Sequence, residues 1–85
     1  MPRLAITETI LRRRLGANVR LKRTSSSLTV KKAAERAEMN SRHWQKIEAG
    51  QSNVTLFTLV RIAQALDVEP GHLLLEPSPR ASEQE

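Results

Sequence analysis

The sequence predicts an all-α fold, a compact bundle of five short helices. Three observations lead there. Apolar residues recur at three- and four-residue intervals through most of residues 7–75, with no strand alternation and no internal repeat. A threonine or asparagine stands at the head of four of the stretches: Thr7, Thr29, Asn40 and Thr55. Serine, glycine and short polar runs separate them, the residue types that end helices.

Residues 1–6 are expected to form a flexible N-terminus. Thr7 caps a first helix running to about Ser25, and Leu11, Leu15 and Val19 give it one apolar stripe. Gly16 inside that helix costs about 1 kcal/mol relative to alanine, which close packing against a neighbour would explain. Ser25-Ser26-Ser27 stops it. Thr29 caps a second helix whose buried stripe, Val30, Ala33, Ala34 and Ala37, is made of small residues that let another helix approach. The turn is Glu38-Met39-Asn40, with Met39 inward. Asn40 caps a third helix from about Ser41 to Glu48, anchored by Trp44 and Ile47, and Gly50 ends it in a left-handed conformation. After the loop Gln51–Val54, Thr55 caps a fourth helix to about Leu66, with Leu56, Leu59, Ala63 and Leu66 as its stripe. Pro70 opens a short fifth helix whose apolar surface is Leu73, Leu74 and Leu75. Residues 76–85 hold two prolines, charges and no core residue, and are expected to be a disordered tail.

Eighty-five residues make one small domain, burying somewhat more than roughly 60% of its unfolded surface. There is no cysteine for a disulfide or thiolate metal site, which suits a cytoplasmic, nucleoid-associated protein. No apolar run reaches the roughly 18 residues that span a membrane. The Ile10-Leu11 pair runs straight into Arg12-Arg13-Arg14, which is not the apolar core of a secretory signal. Charge is uneven. Residues 1–46 hold 12 Lys/Arg against 3 Asp/Glu, and residues 47–85 hold 2 against 6, giving the net +5. A basic half joined to an acidic half fits one face for a polyanion, and fits a merely soluble basic protein as well.

Residues 28–50, LTVKKAAERAEMNSRHWQKIEAG, decide between these. Two short helices are joined by a tight turn, and the second carries long polar side chains at its start and apolar anchors further along. That is the pattern of a helix-turn-helix, which lays its second helix in the DNA major groove.

With LGANVRLKR (15–23) before it and NVTLFTLVRIAQALDV (53–68) after it, this segment resembles the lambda-repressor-like, Cro-type helix-turn-helix family, also called the xenobiotic-response-element family. The resemblance covers roughly residues 11–75, and the spacing of the three segments makes it specific. It implies a five-helix bundle that binds DNA as a dimer on two-fold symmetric sites. By position it makes Ala34 the small residue where the second and third helices touch, and puts Trp44 and Ile47 on the inward side of the recognition helix. Glu48 and Gly50 match the family's Glu-x-Gly ending. Arg23 matches an arginine that in relatives pairs with that glutamate. Two positions depart from the pattern. Val30 stands where a phosphate-binding glutamine is frequent, leaving that work to a backbone N–H at the helix start. Glu38 replaces the turn glycine, placing a larger side chain at φ > 0 and a negative charge beside the turn.

The outward positions of the third helix, Ser41, Arg42, Gln45 and Lys46, are the expected base-contacting residues. Arg42 can offer two donors to guanine O6 and N7, and Gln45 can pair with adenine N6 and N7. Lys46 suits guanine or phosphate; Ser41, being short, suits phosphate or a nearby base edge. Lys31, Lys32, Asn40, His43, Asn53 and Thr55 are the expected backbone contacts, Asn53 and Thr55 because a helix N-terminus presents free N–H groups. His43 equally fits a packing role, and Thr55 fits capping and phosphate contact together. Arg12, Arg13 and Arg14 either reach phosphates or keep the first helix soluble. Phe57, Val60, Leu73, Leu74 and Leu75 carry more apolar surface than one small core needs, and are the expected dimer contact, unless they simply close the core.

The function that follows is a sequence-specific DNA-binding transcriptional regulator acting as a homodimer, without cofactor, metal or small-molecule effector and with double-stranded DNA as partner. The alternative is a protein-binding module, an antitoxin or adaptor, using the apolar C-terminal helices. An enzyme is not expected: there is no Ser/His/acid arrangement of recognisable spacing, no glycine-rich phosphate loop and no carboxylate pair in a plausible cleft.

Overall fold

A computed structural model describes residues 5–77. The expected tail falls mostly outside this range, as do residues 1–4 of the expected flexible N-terminus. Four α-helices follow one another: α1 (Glu8–Ser25), α2 (Val30–Arg36), α3 (Ser41–Glu48) and α4 (Leu56–Leu66). The expected fifth helix is a 3-10 turn, Pro70–Leu74. Five residues opening on proline are too few for a stable α-helix, and the tighter i→i+3 pattern fits a connector of this length. No strand occurs among the described residues, and no helix there is long and apolar enough to cross a membrane.

All four caps form. The Thr7, Thr29, Asn40 and Thr55 side chains each accept from a backbone N–H three residues on, at Ile10, Lys32, His43 and Thr58. Each satisfies one of the donors that a helix start leaves unpaired. Ser27, Glu38 and Asp67 take φ near +60°, and Gly50 takes +74°, so each of α1 to α4 is followed within a few residues by a left-handed residue.

α1 is the beam of the bundle. It packs on α3, on α4 and on the 3-10 turn, while α2 packs on α3 and α4. Leu15 and Val19 from α1 meet Ala33, Ala34 and Ala37, Trp44 and Ile47, and Leu59, Ile62, Ala63, Ala65 and Leu66 in one core. Trp44 is fully buried. Gly16 sits against the C-terminal turn of α3, where a Cβ would lie 2.6 Å from the backbone oxygens of Ile47 and Glu48. The glycine is the close approach its helix-weakening cost predicted.

Two assignments need correction. Leu56 is not part of the core stripe: it is 78% exposed, and Ile62 and Ala65 fill the face it was expected to share. The 11 residues of α4 bury one side only, and Leu56, in the first turn, falls outside that arc. Leu73 is fully buried and closes the core, so it is not available as a surface contact.

Candidate nucleic-acid interface

α3 has only eight residues, too few to be helical alone, so tertiary contacts hold it. Its inward face is Trp44 and Ile47. Its C-terminal end is fixed by Glu48, whose carboxylate accepts from Arg23 Nε (2.6 Å), Arg23 Nη2 (3.2 Å) and Trp44 Nε1 (2.6 Å). Arg23 also donates from Nη1 to the Leu28 carbonyl at 2.9 Å. The side chains of Arg23 and Glu48 are only 13% and 10% exposed, so this is a nearly buried pair with its hydrogen bonds satisfied. The resemblance foresaw the ion pair. It did not foresee the indole donor, although Trp44 and Glu48 are one helical turn apart, the spacing that brings two side chains together.

With that face buried and that end pinned, the remaining face is left to solvent. Arg42, Gln45 and Lys46 are exposed and Ser41 is half-buried. None of the three ion pairs among the described residues involves Arg42 or Lys46. The helix thus presents two free cations and one amide at three- and four-residue spacing. His43, at the edge of this face, is half-buried, with Nε2 3.3 Å from Ser52 Oγ.

The other expected contact residues lie on the elements before and after α3. Lys31 and Lys32 are exposed on the first turn of α2. Asn40 and Asn53 are exposed, with their side-chain oxygens engaged, Asn40 by the His43 N–H and Asn53 by Arg12. Thr55 caps α4 and exchanges a second hydrogen bond with Thr58 Oγ1 at 3.1 Å. Val30 packs against the core, and Thr29 beside it is occupied with the Lys32 N–H. At the turn, Glu38 takes φ 58° and pairs with Arg61 of α4. Arg61 also lies over the Phe57 ring, 5.1 Å from its centre.

Phe57 (68%), Val60 and Leu56 of α4 are exposed, Leu56 in the cleft that Ser52 and Asn53 also line, and at the end of the 3-10 turn Leu75 (58%) is exposed and Leu74 half-buried. Asn18 anchors this end: its Nδ2 donates to the carbonyls of Leu73 (3.0 Å) and Leu75 (2.8 Å). Sequence reasoning missed Asn18 and Arg61, and it named Arg12 without its link to Asn53. Each acts through a partner 23 to 57 residues away, beyond the reach of local pattern.

The model of the helix-turn-helix domain matches residues 14–76, about three-quarters of the chain, with all of α2, α3 and α4 inside it. The chain belongs to the helix-turn-helix domain family. Solved structures of similar shape include the restriction-modification controller protein C.AhdI from Aeromonas hydrophila, 31% identical over 73% of this chain and 94% of that one, with a TM-score of 0.70. The hypothetical transcription factor NHTF from Neisseria is 26% identical over 99% and 97% of the two chains, with a TM-score of 0.78. The clp gene regulator ClgR from C. glutamicum is 25% identical over 88% and 94%, with a TM-score of 0.72. No curated protein sequence matches. The helix-turn-helix segment of this chain is α2, the Glu38–Asn40 turn and α3, and the lambda-repressor-like resemblance is in keeping with these relatives.

Proposed function

We propose that this helix-turn-helix protein is a sequence-specific DNA-binding transcriptional regulator, binding as a homodimer to a two-fold symmetric operator through the major groove. One observation carries the reading. The outward face of α3 holds Arg42, Gln45 and Lys46, exposed and without a side-chain partner among the described residues, on a helix fixed from behind by Trp44, Ile47 and the Arg23–Glu48 pair. Side chains of these types suit base edges, Arg42 a guanine and Gln45 an adenine, with Lys46 and Ser41 at a base or phosphate. Lys31, Lys32, Asn40, His43, Asn53 and Thr55 flank the helix as backbone contacts that set its register. Three of the relatives are described as a controller protein, a transcription factor and a gene regulator, which supports the same reading.

The self-contact assigned to this regulator is the apolar face of Phe57, Val60 and Leu75, with Leu74 at its margin and Leu56 added. Two copies joined there in two-fold symmetry would place their α3 helices about one DNA turn, roughly 34 Å, apart. The same face supports a second reading, a protein-binding module such as an antitoxin or adaptor, because exposed leucine and phenylalanine suit a foreign partner as well as a second copy.

The deciding experiment selects duplexes from a random-sequence library and measures their binding by fluorescence anisotropy against scrambled DNA across a salt titration. A preference of at least about a thousandfold near physiological salt is expected. A steep salt slope without preference would reduce the function to phosphate binding. No binding would favour the protein-binding module.

A further inference from the structure

Of the arginine run Arg12-Arg13-Arg14, Arg12 reaches the interface described above through Asn53. We propose that Arg12 is a positioning residue that aims the Asn53 amide outward and so builds a phosphate-oxygen site beside the recognition helix. The inference rests on the DNA-binding reading above and names the hydrogen-bond geometry at one edge of that site.

Arg12 lies in the first half of α1, and Asn53 lies 41 residues later in the loop between α3 and α4. The guanidinium donates from Nη1 to Asn53 Oδ1. Arginine has donors only, so it accepts one orientation of the asparagine amide and rejects the other: Oδ1 faces Arg12 and the Nδ2 amino group faces away. Asn53 is exposed, and among the described residues its Nδ2 has no hydrogen-bond acceptor, so with Oδ1 held by Arg12 the amino group is left for solvent, on the loop that leads into the capped start of α4. A phosphate oxygen is an acceptor only. An asparagine free to rotate would offer it Nδ2 in one orientation and repel it with Oδ1 in the other. Arg12 removes the repelling orientation before DNA arrives, and its positive charge polarises the amide so that Nδ2 donates more strongly.

Arg12 is itself held in place. It is half-buried, with Nη2 3.4 Å from Thr9 Oγ1 and Nη1 3.7 Å from Glu8 Oε2. Glu8, Arg12, Ser52 and Asn53 line one cleft, floored by Leu11 and Leu15. The group nearest solvent in this arrangement is the amide rather than the guanidinium. Arg12 therefore acts through Asn53.

The test is a double-mutant cycle on the duplex selected by the wild-type protein. R12M removes the donor while keeping an unbranched apolar stem. It should weaken binding about tenfold, the equivalent of one charge-assisted hydrogen bond. In the N53A background the same change should cost less than about threefold, because there is no amide left to orient. R12K keeps a donor-only cation and should restore affinity to within about threefold of wild type. N53D keeps an acceptor for Arg12 but faces the phosphate with a carboxylate. It should melt no lower than wild type and yet bind at least about tenfold more weakly. Equal losses from R12M in the two backgrounds would mean that the charge of Arg12 acts at long range, and would overturn the proposal. So would unchanged affinity in N53D. A wild-type protein that selects no duplex would instead overturn the DNA-binding reading on which the proposal stands.

Discussion

Replacing Glu48 with alanine should unfold the domain at a much lower temperature, and the structure gives the size of the effect. The substitution deletes three hydrogen-bond acceptances at once, two from Arg23 and one from Trp44. It leaves a guanidinium that is only 13% exposed without its counter-charge, and an indole N–H in the core without a partner. Breaking a buried ion pair from one side costs about 3–5 kcal/mol. The Leu28 carbonyl remains on Arg23 Nη1 and compensates part of this, which places the expectation at the lower end, about 3 kcal/mol. A domain of this length has a total stability of roughly 4–13 kcal/mol. At roughly 4–8 °C per kcal/mol, the melting temperature should fall by at least about 12 °C. Thermal denaturation followed by circular dichroism measures this directly. Glu48→Gln keeps one carbonyl acceptor and should fall between wild type and alanine. Replacing both Arg23 and Glu48 with apolar residues should cost less than Glu48→Ala alone, because no buried charge is then stranded. A Glu48→Ala melting temperature within about 3 °C of wild type would refute the role of the pair in holding α3.

Four further outcomes are expected. Gly16→Ala should lower stability by about 1–3 kcal/mol in urea denaturation despite alanine's higher helix propensity, because its Cβ meets the backbone of Ile47 and Glu48, which cannot move aside. Glu38→Val should be destabilising by more than about 1 kcal/mol while Glu38→Gly stays near neutral, because a β-branched residue is strained at φ 58° and the exposed ion pair with Arg61 contributes about 0–1 kcal/mol; equal melting temperatures would count against the strain. Phe57→Asp should shift the protein towards monomer in sedimentation without lowering the monomer's own stability, since the ring is 68% exposed; an unchanged association state would remove Phe57 from the self-contact. Arg42→Ala should weaken specific binding by about 1–3 kcal/mol and relax preference at one base position, and an equal loss on every sequence would rule out base reading.

The helices, caps and turn were legible in the sequence because each is encoded within a few residues. Thr29 and Lys32, or Asn40 and His43, are three positions apart, so a capping residue beside an apolar period is enough to place them. The inward and outward faces of α3 were legible for the same reason. Leu56 was misplaced because a leucine at the start of an apolar stretch fits both the stripe and the surface, and only the rotation of α4 against α1 and α2 settles which. The short fifth helix was legible from Pro70, but not its 3-10 form, because proline opens α and 3-10 turns alike. What stayed hidden was the long-range polar framework. Asn18 holds the backbone at Leu73 and Leu75, Arg12 holds Asn53, and Arg61 holds Glu38, and in none of these does either partner carry a local pattern naming the other.

Two of those three contacts, together with Arg23 and Gly16, start from α1, and this gives the helix a role beyond supplying core residues. Along its length it fixes the loop after α3 through Arg12, the last turn of α3 through Gly16, the C-terminal turn through Asn18, and the carboxylate of Glu48 through Arg23. An eight-residue α3 cannot hold its own helical form, so its geometry is borrowed from this 18-residue neighbour. The grip falls on the C-terminal end of α3 and on the loop beyond it, which leaves Ser41 and Arg42 at the other end unencumbered. Substitutions on α1 should therefore alter affinity for DNA through the placement of α3 and Asn53, with the side chains proposed to read the bases unchanged. That separates α1 variants from Arg42→Ala in kind: the first should weaken binding to every duplex in step with lost order at α3, whereas the second should change which duplex is preferred.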